Sequence, residues 1–169
     1  MLILIWISSA IAATWTVGPS SADYTTIQAA IDGASTGDTI QVAAGTYTEA
    51  LDLSGLDLTI TATAGSASTF LNPPSKKTAV QWLLSEGGTL EGFTIEPTDA
   101  RAFEIKGGSP VIKDCIVLNA GASGSSSKDG GAGHIDGGTP SFDDVTFRDS
   151  VGRFGGTLYA KSNAVVELI

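Results

Sequence analysis

Few residues in this chain of 169 could do chemistry, because it contains one histidine and one cysteine. The histidine, His134, lies in a segment (132–147) that repeats residues 102–117 thirty positions later, and a third copy opens at Thr157. In this alignment Glu104, His134 and Tyr159 share one position. If the copies stack as strands, the three side chains form an outward column with neighbours about 4.8 Å apart. Such a column could contact a sugar ring or a partner surface, or it could be an ordinary solvated face.

The acidic residues do not form a recognisable catalytic or metal-binding pattern. Asp143 and Asp144 are the only acidic doublet, and Asp144 shares its position with Gly92 and Asp114. Gly, Asn and Asp are the residues that accept positive φ most cheaply, so this position predicts a bend between strands rather than a catalytic site. Glu104, Asp136 and Asp143 could offer oxygens to calcium, which needs six to eight ligands, but no loop has calcium-ligand spacing. We therefore predict no catalytic residue, no metal site and no cofactor, with calcium left open.

Cys115 is expected to be a buried, inert thiol. It lies where the repeat places an inward apolar residue, Val145 in the next copy. Reactive cysteines need an electropositive, partly open environment, and a single cysteine cannot close a disulfide within the chain.

The charge of the chain excludes several partners. The formal net charge is −9, which disfavours nucleic acid and anionic membrane surfaces because both need a basic face. It is also typical of a solvated acidic exterior. No apolar run is long enough to span a bilayer, so we expect no transmembrane segment.

Residues 1–12 are predicted to be a signal peptide. They form an apolar run that ends in Ala10-Ile11-Ala12, a small-residue pattern that favours cleavage after Ala12. No Lys or Arg precedes Lys76, so the usual positive start is missing, and an ordinary buried strand is the alternative. Export predicts a secreted, extracellular or outer cell surface location.

Residues 13–169 are predicted to be one domain of short strands with a helical cap at about 23–36 and coils at about 39–169. A helix is expected over Asp23–Ser35, started by a capping-box pattern of Thr25 and Gln28. Alternation over 39–42, over 56–61 and at Val80, Trp82 and Leu84 predicts half-buried strands. The Gly/Ser-rich segment 120–131 predicts a mobile loop.

In the repeats, alternation divides the side chains into two faces. The inward set is Phe103, Ile105, Ile112, Cys115, Val117, Ile135, Phe142, Val145, Phe147, Leu158 and Ala160. The outward set is Glu104, Lys106, Lys113, His134, Asp136, Asp143, Tyr159 and Lys161.

Several segments resemble a known superfamily. The segments Thr26-Ile-Gln-Ala-Ala-Ile31, Gly37-Asp-Thr-Ile-Gln-Val42 and Gly45-Thr-Tyr-Thr-Glu49 resemble the opening of right-handed parallel β-helix proteins of the pectin-lyase-like superfamily. Later, Gly130-Gly-Ala-Gly-His-Ile135 and Phe154-Gly-Gly-Thr-Leu-Tyr159 resemble the repeats of polymorphic outer-membrane proteins. The resemblance covers about residues 23–169. It implies an all-β fold, a right-handed parallel β-helix of four to five coils with an N-terminal capping α-helix.

Two functions are open at this point. One is a secreted or surface-displayed module with a structural, adhesive or glycan-binding role, whose partner is a polysaccharide or a cell-surface ligand. The alternative, implied by the resemblance, is a polysaccharide-active enzyme of the pectate lyase or glycoside hydrolase type, or the N-terminal part of one. Residues 164–169 look like a strand without a cap. We therefore expect the C-terminal end to be truncated, so that the chain continues there or pairs with another chain.

Overall fold

The computed structural model of the protein describes residues 11–84, 86–121, 130–153 and 156–169. Residues 1–10 of the predicted signal peptide, the middle of the Gly/Ser-rich segment and Phe154-Gly155 lie outside these ranges.

The described chain is mostly β, with many short strands and one helix. In chain order the first elements are β1 (Thr14–Val17), α1 (Ile27–Gly33), β2 (Thr39–Val42), β3 (Gly45–Tyr47), β4 (Leu51–Asp52), β5 (Thr59–Ala62), β6 (Thr69–Leu71), β7 (Val80–Trp82) and β8 (Thr89–Glu91). They are followed by β9 (Thr94–Ile95), β10 (Phe103–Lys106), β11 (Val111–Lys113), β12 (Ile116–Leu118), β13 (Gly133–Asp136), β14 (Ser141–Asp143), β15 (Thr146–Arg148), β16 (Leu158–Lys161) and β17 (Glu167–Leu168).

These strands form three parallel sheets that the chain visits in rotation. Sheet 1 has the order β1-β2-β5-β8-β11-β14-β17, sheet 2 the order β3-β6-β9-β12-β15, and sheet 3 the order β4-β7-β10-β13-β16. From β2 onward, each strand is followed by a strand of the next sheet and pairs with the strand three places later. Parallel neighbours need such long connections, since a tight hairpin can join only antiparallel strands.

The register of the sheets confirms the alignment of the sequence copies. Phe103 pairs with Gly133, and Gly133 with Leu158. In sheet 1, Ile112 pairs with Leu90 on one side and with Phe142 on the other. The copies therefore stack residue on residue, as their repeated motifs predicted.

We call three consecutive strands, one from each sheet, a layer. The inward side chains form a continuous core, because each layer covers the apolar side chains of the layer before it. Phe103 is fully buried between Trp82 and Phe142, with ring centroids 6.2 and 5.9 Å away. Gly133 follows Phe103 in the same column, and a Cβ placed there would lie 2.6 Å from Cδ2 of Leu158. Because Gly133 has no side chain, there is room beside it for the side chain of Leu158.

Two residues expected to be buried in the core are exposed. Ala160 is exposed because β16 is the last strand of its sheet and has a neighbour on one side only. Leu84 is 70% exposed. Its backbone N–H donates to the Glu86 carboxylate at 2.6 Å, which turns the chain out of the sheet two residues after β7 ends.

The bend predicted at one position of each copy is confirmed. Gly92, Asp114 and Asp144 have φ angles of 80°, 50° and 51°. Aspartate tolerates this left-handed region better than most residues with a Cβ do. The recurrence of Gly or Asp at this position of each copy therefore reflects the backbone conformation that the bend requires.

The helix is shorter than predicted, and its N-cap is a different residue. It covers Ile27–Gly33, and its N-cap is Thr26, whose side chain accepts from the Ala29 N–H. The prediction of Thr25 as the cap was wrong. Two further N–H groups, those of Ile27 and Gln28, donate to the carboxylate of Glu49 at 2.9 Å each. A distant side chain thus satisfies donors that the capping box was expected to satisfy locally.

Helix α1 also covers one edge of sheet 3. The side-chain amide of Gln28 accepts from the Asp52 N–H at 2.9 Å and donates to the Asp52 carbonyl at 3.1 Å. It therefore pairs with β4 as a peptide group of a further strand would. Edge strands with free backbone groups are sites of unwanted association, and this pairing occupies one of them.

The opposite end of the sheets is open in the described chain. Val165, Leu168 and Ile169 are exposed. Beside them is a cavity of about 290 Å³, lined mainly by Phe142, Val145, Phe147, Leu158 and Leu168. The continuation or pairing expected at this end stays a prediction.

The stacking of Phe103 predicts a large loss of stability on truncation. We expect Phe103→Ala to lower the free energy of unfolding by about 3–5 kcal/mol, because it leaves a cavity between two aromatic rings. Lys106→Ala, on the same strand but exposed, is the control and should cost less than about 1 kcal/mol. Urea denaturation followed by circular dichroism measures both. Equal losses for the two variants would contradict the buried position of Phe103.

Candidate functional site

The three residues singled out by the repeats lie side by side on the outer face of sheet 3. Glu104 on β10 pairs with His134 on β13, which pairs with Tyr159 on β16. The column extends in the other direction through Gln81 on β7 to Asp52 on β4. We call these five residues the polar column.

The two rings of the polar column stack on each other. The centroids of His134 and Tyr159 are 5.7 Å apart and their planes differ by 12°. One face of each ring is therefore covered by the other ring. The polar groups that this pair can offer to a ligand are the Tyr159 hydroxyl and Nε2 of His134, because Nδ1 of His134 is buried. The pair is thus better suited to hydrogen bonding than to stacking under a sugar.

The carboxylate of Glu104 is positioned by neighbours on both sides. Its Oε2 accepts from the side-chain amide of Gln81 at 3.4 Å, and its Oε1 lies 3.3 Å from Nζ of Lys106. A carboxylate has about four acceptor positions, so these contacts leave capacity for hydroxyl groups of a ligand.

A charged column runs beside the polar column, two residues further along each strand. It consists of Lys106, Asp136 and Lys161, which pair in that order. Nζ of Lys161 lies 3.0 Å from Oδ2 of Asp136. Hydrogen bonds from Ser162 and Lys161 lower the pKa of Asp136. Positive and negative charges therefore alternate along this edge of the face.

His134 is held mainly neutral by its surroundings. Burial lowers its pKa first, the positive charges of Arg101 and Lys161 lower it further, and Glu104 and Asp136 act in the opposite direction. Its Nδ1 is buried and meets no hydrogen-bond partner among the described residues. The imidazole is therefore a neutral polar group within the column.

The acidic residues considered for calcium are not brought together. Asp143 lies on β14 in sheet 1, whereas Glu104 and Asp136 lie on strands of sheet 3. In the described ranges no three His, Cys, Asp or Glu residues are grouped so that they could hold a metal ion. The expectation that these three carboxylates could share calcium is therefore wrong for this set.

Cys115 is buried, as its place in the repeat predicted. It is 1% exposed, and burial is the main cause that raises its pKa to about 11. A thiol in this state is a poor nucleophile because the thiolate is the reactive form.

Sequence reasoning missed Gln81 and Asp52 as members of the polar column. Gln81 could have been found, because the alternation of Val80 and Trp82 already placed it on the outer face. Asp52, between the buried Leu51 and Leu53, could also have been placed on the outer face, but no repeated motif around β4 aligned it with Gln81.

No helix in the described part of the chain is long and apolar enough to cross a membrane. Comparison of the chain with protein-family models, with curated proteins and with solved structures found no match. The resemblance to the pectin-lyase-like superfamily therefore stays a prediction from motifs.

The lowered pKa of His134 predicts a loss of stability on mild acidification. Because the pKa is lower in the folded state than the ordinary 6.5, the unfolded chain takes up the proton first as the pH falls. The stability that the neutral imidazole of His134 contributes to the folded state is fully present above about pH 6.5. It is lost as the pH falls through the lower pKa of the folded state. We expect the urea midpoint to fall between pH 7.5 and 5.5.

His134→Gln serves as the control, because it removes the titrating group and keeps a polar side chain. It should flatten this part of the pH profile and leave the loss at lower pH, where carboxylates are protonated. A wild-type profile that matches the variant between pH 7.5 and 5.5 would contradict the prediction.

Proposed function

We propose that this protein is an exported, right-handed parallel β-helix that binds an uncharged polysaccharide along the polar column of sheet 3, without catalysis. The observation that carries the proposal is the run of hydrogen-bonding side chains on consecutive strands: Gln81, Glu104, His134 and Tyr159.

The rotation of the chain through three parallel sheets supports the β-helix. Connections between parallel strands are right-handed in almost all proteins, which supports the proposed hand. Helix α1 contacts β1, β2 and β4, the first strands of the stack. Stacked arrays need a cap on a terminal layer, and we assign that role to α1.

The chemistry of the polar column favours sugar hydroxyls. Each hydroxyl both donates and accepts. The column combines the carboxylate acceptors of Asp52 and Glu104 with an amide and a phenol that both donate and accept, and with a neutral imidazole. Its side chains repeat at the strand spacing of about 4.8 Å. A polymer of repeating units suits a repeating site better than a single small ligand does.

The charge of the protein supports an uncharged ligand. The formal net charge is −9, which repels acidic glycans at long range. The lysines nearest the column, Lys106 and Lys161, are paired with Glu104 and Asp136, so both cations already have counter-charges. Export is supported by the apolar run at the start of the chain and by the small residues, Ala10 and Ala12, with which that run ends.

Binding can be tested by affinity electrophoresis and calorimetry with xylan, soluble β-glucan and polygalacturonate. We expect binding to an uncharged polymer, and we expect Glu104→Gln and Tyr159→Phe each to weaken it about fivefold, since one hydrogen bond contributes about 1 kcal/mol. Lys113→Gln, which is outward on sheet 1, is the control and should bind as the wild type does.

Three outcomes would count against the proposal. Binding of polygalacturonate alone would contradict the uncharged ligand. Equal weakening by Lys113→Gln would place the site elsewhere, and release of shortened sugars would show catalysis.

A further inference from the structure

Asp38 holds the start of the described chain with both oxygens of its carboxylate. Its Oδ1 accepts from the Ala13 N–H at 2.7 Å, and its Oδ2 accepts from the Trp15 indole at 3.0 Å and from the Ser35 N–H at 2.9 Å. Asp38 lies near the surface but is only 5% exposed. The three donors are neutral. Hydrogen bonds from Ser35, Ala13 and Trp15 outweigh the effect of burial and lower the pKa of Asp38, although none of these donors carries a positive charge.

Ala13 is the point at which the chain joins the fold. Its N–H binds Asp38, and its carbonyl accepts from the Thr39 N–H at 2.8 Å. The two described residues before it are exposed: Ile11 is 92% exposed, and Ala12 is also exposed. The boundary in packing therefore coincides with the end of the small-residue pattern Ala10-Ile11-Ala12.

We propose that the Ala12–Ala13 peptide bond is a processing site and that Asp38 is the receptor for the α-ammonium group which its hydrolysis creates. This inference depends on the export part of the proposed function. It does not depend on the polar column, which lies on sheet 3 while Ala13 precedes β1 of sheet 1.

The reaction is a hydrolysis by an endopeptidase that accepts small residues at the first and third positions before the cut. Water adds its hydroxyl to the carbonyl carbon of Ala12, the C–N bond breaks, and the nitrogen of Ala13 takes a proton. At neutral pH the acid formed at Ala12 ionises and the new amine is protonated, so the products are a carboxylate and an ammonium group.

The hydrogen bond from Ala13 to Asp38 is already charge-assisted, because its acceptor is an ionised carboxylate. Processing would add a positive charge on the donor and so turn this hydrogen bond into an ion pair. The carboxylate of Asp38 would also gain a counter-charge at the nitrogen that already lies 2.7 Å from it. The start of β1 would therefore be bound to sheet 1 more strongly in the cleaved protein than in the uncleaved chain.

The processing site is tested by producing the full chain in an exporting bacterial host and measuring the N-terminus of the exported protein by intact mass and N-terminal sequencing. We expect the product to begin at Ala13. A product that begins elsewhere, an exported protein that keeps residues 1–12, or a failure of export would overturn the proposal. Polysaccharide binding is measured separately on the same preparation, so the two proposals can fail independently.

The receptor role is tested by comparing the exported protein with the uncleaved chain retained in the cell. Cleavage should raise the folding equilibrium constant about tenfold, because the new ammonium group and the carboxylate of Asp38 attract each other as opposite charges. Asp38→Asn should abolish this gain. Asp23→Asn is the matched control: Asp23 also binds β1, accepting from the N–H and hydroxyl of Thr16, and its loss should leave the gain intact. A gain that survives in Asp38→Asn would show that Asp38 only anchors the strand.

A second measurement covers the case in which Asp38→Asn fails to fold. An α-ammonium paired with a carboxylate gives up its proton less readily, so its acylation is slower. We expect the α-amine of the exported wild-type protein to react several-fold more slowly when folded than in urea. Equal rates would overturn the receptor role.

Discussion

The structure depends on strands of consecutive layers lying in register, so that each inward side chain contacts its equivalents above and below. A single layer contributes only a few apolar side chains, and ordering its backbone costs on the order of 1–2 kcal/mol per residue. The contact of Phe103 with Trp82 and Phe142 shows how this cost is met. The stabilising contacts are between layers, so no layer has a core of its own.

The sequence predicted the parts of the fold that repeat. The Gly-Gly turns and the apolar alternation aligned Phe103 with Gly133 and Leu158, and the structure pairs them. The same alignment predicts that Glu104, His134 and Tyr159 lie side by side, and the structure pairs them. Repetition makes such predictions possible because the same residue types must recur wherever the same backbone shape recurs.

The parts that do not repeat were predicted less well, for a physical reason. Helix α1 is bound by the carboxylate of Glu49 and pairs with Asp52 through Gln28. The start of β1 is held by Asp38. These are single contacts between a side chain and a distant backbone group, and they leave no periodic pattern. A local pattern at Thr25 and Gln28 suggested a capping box, whereas the tertiary contact with Glu49 decided how the helix begins.

Gly133 has a consequence for how such a chain can change over generations. Its missing side chain leaves the room that Leu158 occupies, so the size of a residue in one layer limits the size allowed in the next. A larger residue at 133 would require the end of the Leu158 side chain to shift, and a smaller residue at 158 would remove that requirement. At this position the two copies therefore do not diverge independently: the residue in one strand sets the room left for its partner in the next, and a paired substitution relieves the contact without a shift.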